Sequence, residues 1–134
     1  MDSCKSDKLR VVTLSGYMLI ILMSSLMPMD QKSLAIPIIT RIRPELQNLL
    51  HIPAFAVLAV LWLDFLKTHQ RKILIVVVVS ISFGTFNELI QFVVPGRYPS
   101  AIDAGFNTIG VFGGIIFSPP LSRLRLRLSK RIVR

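Results

Sequence analysis

The 134-residue chain is short of charge and nearly without cysteine. Charged residues make up 17% of it, where an ordinary soluble domain carries about 25%. The lone Cys4 rules out an intramolecular disulfide and any multi-thiolate metal centre. It also precedes the first apolar run, whereas a lipoprotein cysteine follows one. No G-x-S-x-G, no nucleophilic Cys–His arrangement and no metal-ligand spacing can be found. Acidic residues are few, 7 against 16 Lys+Arg. In a soluble chain that imbalance would suggest nucleic acid as a partner, but no RNA- or DNA-binding motif accompanies it. The basic residues flank apolar segments instead, where they fix membrane topology. Internal repeats and low-complexity linkers are missing too, and the length leaves no room for a second domain.

What the chain has is apolar runs. It is 52% hydrophobic, with a mean hydropathy of +0.63, and these residues gather into four blocks at about 11–29, 49–66, 73–94 and 101–117. Each is near the roughly 20 residues that cross a bilayer as a helix. The first, "VVTLSGYMLIILMSSLMPM", follows Lys5, Lys8 and Arg10. It is longer than a signal-peptide core and lacks an A-x-A-like cleavage site, so it reads as a retained helix ending near Pro28. The second carries Pro53 in its first turns, where a missing N–H is tolerated. Near its far end, Asp64 has the i,i+3 spacing to pair with Lys67. The third is strongly apolar until Asn87, Glu88 and Gln91. The fourth opens with Ser100 as a candidate N-cap and Asp103 in the first turn, and it should stop at Pro119–Pro120.

These blocks predict an all-α membrane protein: a four-transmembrane-helix bundle over residues 1–118 and a basic tail over 119–134. In the tail, Leu124, Leu128 and Ile132 recur every four residues beside Arg123, Arg127, Lys130 and Arg134. That pattern fits either an amphipathic helix lying on anionic lipid or a disordered basic anchor. With four spans, the amino terminus, the 67–72 loop and the tail share one side and hold twelve basic residues. The opposite side holds four: Lys32, Arg41, Arg43 and Arg97. Positive residues stay inside, so both termini should be cytoplasmic.

That topology brings dispersed polar residues to one depth near the outer surface. Glu88 and Gln91 lie toward the outer end of the third helix, Asp103 and Asn107 in the first turns of the fourth, and His51 at the start of the second, with Arg97 in the connecting turn. Ionisable groups at membrane depth are costly and face a bundle interior or a wet cavity. Two readings stay open. These residues line a functional outward pocket, with Arg97 holding an anion and His51 or Glu88 able to do acid–base work. Alternatively, Arg97 pairs with Glu88 or Asp103 simply to close the bundle's outer end, with Gln91 and Asn107 bridging helices. Gly110 and Gly114 form a small-xxx-small pair suited to close helix packing or dimerisation. One histidine among scattered carboxylates gives no metal motif, and nothing indicates a cofactor.

The run Glu88, Gln91, Pro95, Arg97, Ser100, Asp103, Asn107, Gly110 and Gly114 resembles the signature of the VanZ-like family of small bacterial membrane proteins. His51 with Phe55 resembles the family's second-helix motif, and "SSLMP" (24–28) the end of its first helix. Pro53, just after the histidine, departs locally from the pattern. The family takes its name from an accessory protein of glycopeptide-resistance clusters, associated with teicoplanin resistance. The resemblance therefore implies a multi-pass protein of the bacterial inner membrane, near cell-envelope chemistry. The polar pocket would then bind or modulate an anionic headgroup, of a membrane lipid or a lipid-linked wall precursor, or the glycopeptide drug that targets that precursor. A second membrane protein (including another copy) is a further expected partner. A hydrolase or transferase acting on a lipid phosphate or ester, with no catalytic residue assigned beyond His51 or Glu88, is the enzymatic alternative. A structural subunit of a membrane complex is the third.

Overall fold

In a computed structural model, the chain is described over residues 2–26, 48–95 and 97–132, with side chains described at 5–26, 48–95 and 97–118. Four helices account for nearly all of it: α1 (Asp2–Leu26), α2 (His51–Phe65), α3 (Lys72–Ile90) and α4 (Ala101–Ile132). A single 3₁₀ turn, Gln91–Val93, continues α3. No strand occurs among the described residues.

Three stretches are long and apolar enough to cross a membrane: Lys5–Leu26, Lys72–Val93 and Ala101–Ser118. The fourth expected span comes out shorter. α2 has 15 residues rather than the 18-residue block 49–66, about 22 Å at 1.5 Å per residue. Leu50 enters the helix without a side-chain cap, and Leu66 leaves helical geometry behind it. α1 begins well before residue 11, because Lys5, Lys8 and Arg10 are good helix formers that propagate the apolar helix backward. Its expected end near Pro28, and the basic residues Lys32, Arg41 and Arg43, lie outside the described residues. α4 departs from expectation in the other direction: it does not stop at Pro119–Pro120 but stays helical to Ile132. The two prolines withhold the N–H groups that would bond the Ile115 and Ile116 carbonyls, so the backbone there continues with two fewer bonds.

Successive helices run in opposite directions. At one end, the first part of α1 meets the last part of α2 through Arg10 Nε–Asp64 Oδ2 at 3.1 Å, and Arg10 also holds Asp7 at 2.9 Å. The sequence spacing suggested Lys67 for Asp64; the fold brings Arg10 to it. At the other end, the last turn of α1 meets the last turns of α3, where Asn87 Nδ2 donates to Ser25 Oγ at 2.7 Å. α1 and α4 both pack on α2 and α3, and the α2–α4 contact is the most extensive.

The core is built around α2. Phe55, Leu58 and Ala59 are fully buried, together with Val76 and Val111, and Leu14 and Ile21 of α1 complete the cluster. Tyr17 Oη donates to the Ala54 carbonyl at 3.0 Å, so its hydroxyl enters the core with a partner. Glycine explains the close approach of α2 and α4. A Cβ on Gly110 would run into the Ile52 carbonyl oxygen, and one on Gly114 into that of Ala56. Gly84 of α3 similarly leaves room for the Phe55 ring and the Asn107 side chain. The outer surface is the apolar one: Val12, Ile20, Leu74, Val78, Ile109 and Ile116 are all exposed.

Candidate functional site

Four element ends meet where α1 finishes, α2 starts, α3 finishes and α4 starts. Most of the buried polar side chains gather there: Ser25, Asn87, Glu88, Gln91, Asp103 and Asn107. Polar groups are thus buried at this end while large apolar side chains stand exposed along the outer surface, as suits an apolar surrounding.

Local structure fixes each of them. α3 tightens into the 3₁₀ turn after Ile90, and Val94 adopts an extended backbone ahead of Pro95, as a residue before proline must. The chain then returns through Arg97 to Ser100. The Asp103 N–H donates to Ser100 Oγ at 3.3 Å, and the Ala104 N–H to the Ser100 carbonyl at 3.1 Å. Ser100 is therefore the N-cap that starts α4. Its own N–H points at Glu88 Oε2, 3.4 Å away, so one carboxylate of α3 is tied to the first residue of the returning segment.

His51 lies at the centre. Its Nδ1 is 2.8 Å from Asn107 Oδ1 and 4.0 Å from Glu88 Oε1. With the amide oxygen as acceptor, Nδ1 carries the proton, and Nε2 keeps its lone pair. One ring nitrogen of His51 and one oxygen each from Glu88 and Asp103 lie within 4.8 Å of one another. Asn107, one turn along α4 from Asp103, orients the ring. Glu88 and Asp103 are 5% and 7% exposed, and each keeps a buried oxygen, Oε1 and Oδ1, with no hydrogen-bond partner. Burial of polar atoms without partners costs free energy, and the Ser100 N–H relieves Glu88 of part of that cost through its other oxygen.

Of the two readings of Arg97, the pairing with a carboxylate is not the contact that forms. No ion pair within 4.0 Å joins it to Glu88 or Asp103 among the described residues. Its Nη1 instead donates to the Ser25 carbonyl at 3.1 Å, and its Nε is buried without a partner. Burial pulls the guanidinium below the usual arginine value, opposed by the fields of Glu88 and Asp103. The two carboxylates thus face histidine and backbone, while the cation anchors to the end of α1. Gln91 is buried in the 3₁₀ turn, where its carbonyl accepts the Val94 N–H at 3.0 Å.

The structure therefore collects His51, Glu88, Asp103 and Asn107 into one cluster, with Arg97 and Gln91 on its flanks. Ser25 and Asn87 belong to the same end and were not singled out from sequence as site residues. The signal for Ser25 was present in "SSLMP", at the end of an apolar block. Asn87 is the first polar residue of its stretch, adjacent to Glu88.

A family model described as VanZ/LLP1 matches residues 3–123, which include the cluster and all the apolar blocks. Comparison with curated proteins gives no match, and neither does comparison with solved structures.

Proposed function

The chain belongs to the VanZ/LLP1 family, and from that premise we propose that it is a multi-pass protein of the bacterial plasma membrane whose polar cluster binds the anionic headgroup of a cell-envelope component, a lipid-linked wall precursor being the type. The observation that carries this reading is the convergence of His51, Glu88, Asp103 and Asn107 from three helices beside an arginine with which neither carboxylate forms an ion pair within 4.0 Å. A guanidinium has five N–H donors in a fork that matches phosphate and carboxylate. Arg97 commits Nη1 to a carbonyl, an anchor that orients the rest of the fork.

All four helices cross the bilayer in this reading. The three long ones have the length for it. α2 is short of the roughly 30 Å hydrocarbon layer, but Leu49, Leu50 and Leu66 extend it with apolar residues, and the bilayer thins locally around a short helix at modest cost. The distribution of basic residues sets both termini in the cytoplasm and the cluster toward the exterior.

The test is the set of lipids that co-purify with the full-length protein in one detergent, compared by mass spectrometry with Arg97→Ala and Glu88→Ala. Wild type should retain anionic species that both variants lose while keeping their helicity. Identical lipids on all three folded proteins would end the proposal.

The 4.0 Å approach of His51 to Glu88 favours a second reading, in which the same cluster moves a proton during hydrolysis or transfer at a lipid phosphate or ester. It separates from the first by product: turnover lost in His51→Ala with lipid binding preserved marks an enzyme.

A further inference from the structure

Two buried carboxylates are poor company for an anion, and Arg97 stands more than 4.0 Å from either. We propose that His51, Glu88 and Asp103 together hold one divalent transition-metal ion of the zinc class, a second positive centre beside Arg97. The inference deepens the binding reading above and rests on it for the choice of ligand, but the ion itself is argued from geometry alone.

The ring nitrogen and the two carboxylate oxygens lie within 4.8 Å of one another. Atoms that share a tetrahedral metal at about 2.0–2.2 Å are themselves about 3.3–3.6 Å apart, so side-chain rotations that bring them about 1 Å closer complete the site. Glu88 Oε1 and Asp103 Oδ1 are buried and lack hydrogen-bond partners, so each has a lone pair free to coordinate a cation. Two carboxylates and a neutral imidazole carry a charge of −2 when ionised. In a buried site a charge of that size is costly; the field of Arg97 offsets part of it, and one divalent cation neutralises it.

The supporting contacts are those of a metal centre. His51 Nδ1, the ring nitrogen 4.0 Å from Glu88 Oε1, is the one held by Asn107 Oδ1 at 2.8 Å, so the ion takes Nε2 once the ring turns that edge toward the carboxylates. The Ser100 N–H, 3.4 Å from Glu88 Oε2, orients that carboxylate. Such outer partners set the orientation of metal ligands. A nitrogen ligand with only two carboxylates argues against calcium, which takes 6–8 oxygens, and against magnesium, which keeps most of its water. Nitrogen with carboxylate oxygen suits zinc. Three protein ligands leave an open position for water or for an oxygen of a phosphate or carboxylate.

The test uses full-length protein carrying a tag free of histidine and cysteine, stripped with chelator in detergent. It is then equilibrated with Zn²⁺ and desalted before elemental analysis. Wild type should retain about one ion per chain, and His51→Ala, Glu88→Gln and Asp103→Asn should each lower retention at least tenfold. His69→Ala, which alters the chain's other histidine (exposed in the α2–α3 loop), should retain the ion. Helicity and Trp62 fluorescence establish that each variant is folded. Cobalt in place of zinc supplies a readout without substitution: visible absorption with the intensity of a four- or five-coordinate ion supports the site. No retention by wild type, equal retention by the three ligand variants, or a weak octahedral cobalt spectrum would overturn it. Because no lipid enters this assay, its failure leaves the Arg97-dependent lipid result standing, and failure of the lipid assay leaves the metal content standing.

Discussion

Alanine at Gly110 or Gly114 should destabilise the bundle, whereas alanine at Gly113 of the same helix should not. A Cβ at either of the first two positions meets a backbone carbonyl of α2, at Ile52 or Ala56, closer than 3.0 Å. Backbone cannot rotate away as the end of a side chain can, so α2 and α4 must part by on the order of 1 Å to restore ordinary contact. Gly113 has nothing within 4 Å of the added carbon. Helix propensity favours alanine over glycine by about 1 kcal/mol at all three sites. Subtracting the Gly113→Ala result therefore removes that shared gain and isolates the steric cost, about 1–3 kcal/mol per site for overpacking. The effect should reach the polar cluster: Gly110 is one turn from Asn107, and Ile52 is next to His51, so the 2.8 Å contact between those side chains must lengthen as the helices separate. Denaturant unfolding in mixed micelles, followed through Trp62 on α2, gives the stabilities. If Gly110→Ala and Gly114→Ala unfold with Gly113→Ala, the close α2–α4 approach is not how these helices pack.

Two further outcomes follow from the ends of the bundle. Ser25→Ala removes the acceptor of the buried Asn87 amide and should cost about 1 kcal/mol in the same assay; an unchanged midpoint would mean that α1 does not dock on α3 there. In a Cys4→Ser background, Tyr98→Cys places a thiol at a position 84% exposed beside the cluster. A membrane-impermeant maleimide should label it on intact cells with the outer membrane permeabilised or absent, while Cys4 in the parent chain reacts only after lysis. The reverse pattern would turn the topology over.

Hydropathy made the apolar helices legible, because burial in lipid selects composition more than it selects a partner. Their ends were less legible. Lys5 and Lys8 carry the first helix backward, and the helix after Ser118 runs through two prolines that usually mark a stop. Within the site, direction reversal alone brings His51, Glu88, Asp103 and Asn107 to one end. Which of them touch is a matter of how each helix is rotated about its axis, and helices with little polar asymmetry hide that rotation. Arg97 shows the difficulty. One reading gave it a carboxylate partner and the other a bound anion, and neither named the Ser25 carbonyl that its Nη1 meets, because the end of α1 faces it. A backbone acceptor leaves no trace in side-chain sequence.

The polar end of the bundle also has an order of arrival. Synthesis delivers segments from the amino terminus onward, so Ser25 enters first, His51 next, then Asn87 and Glu88, and Asp103 and Asn107 last. Until the final helix inserts, the histidine ring lacks its amide, Glu88 lacks the Ser100 N–H, and the α2 surface that receives Gly110 and Gly114 is bare. In the proposed four-span topology the nascent protein passes through a three-helix stage whose polar groups lack these partners, a form suited to recognition by membrane chaperones and proteases. A chain interrupted before Ala101 would remain at that stage, so quality control could read completion of the fourth helix as completion of the protein.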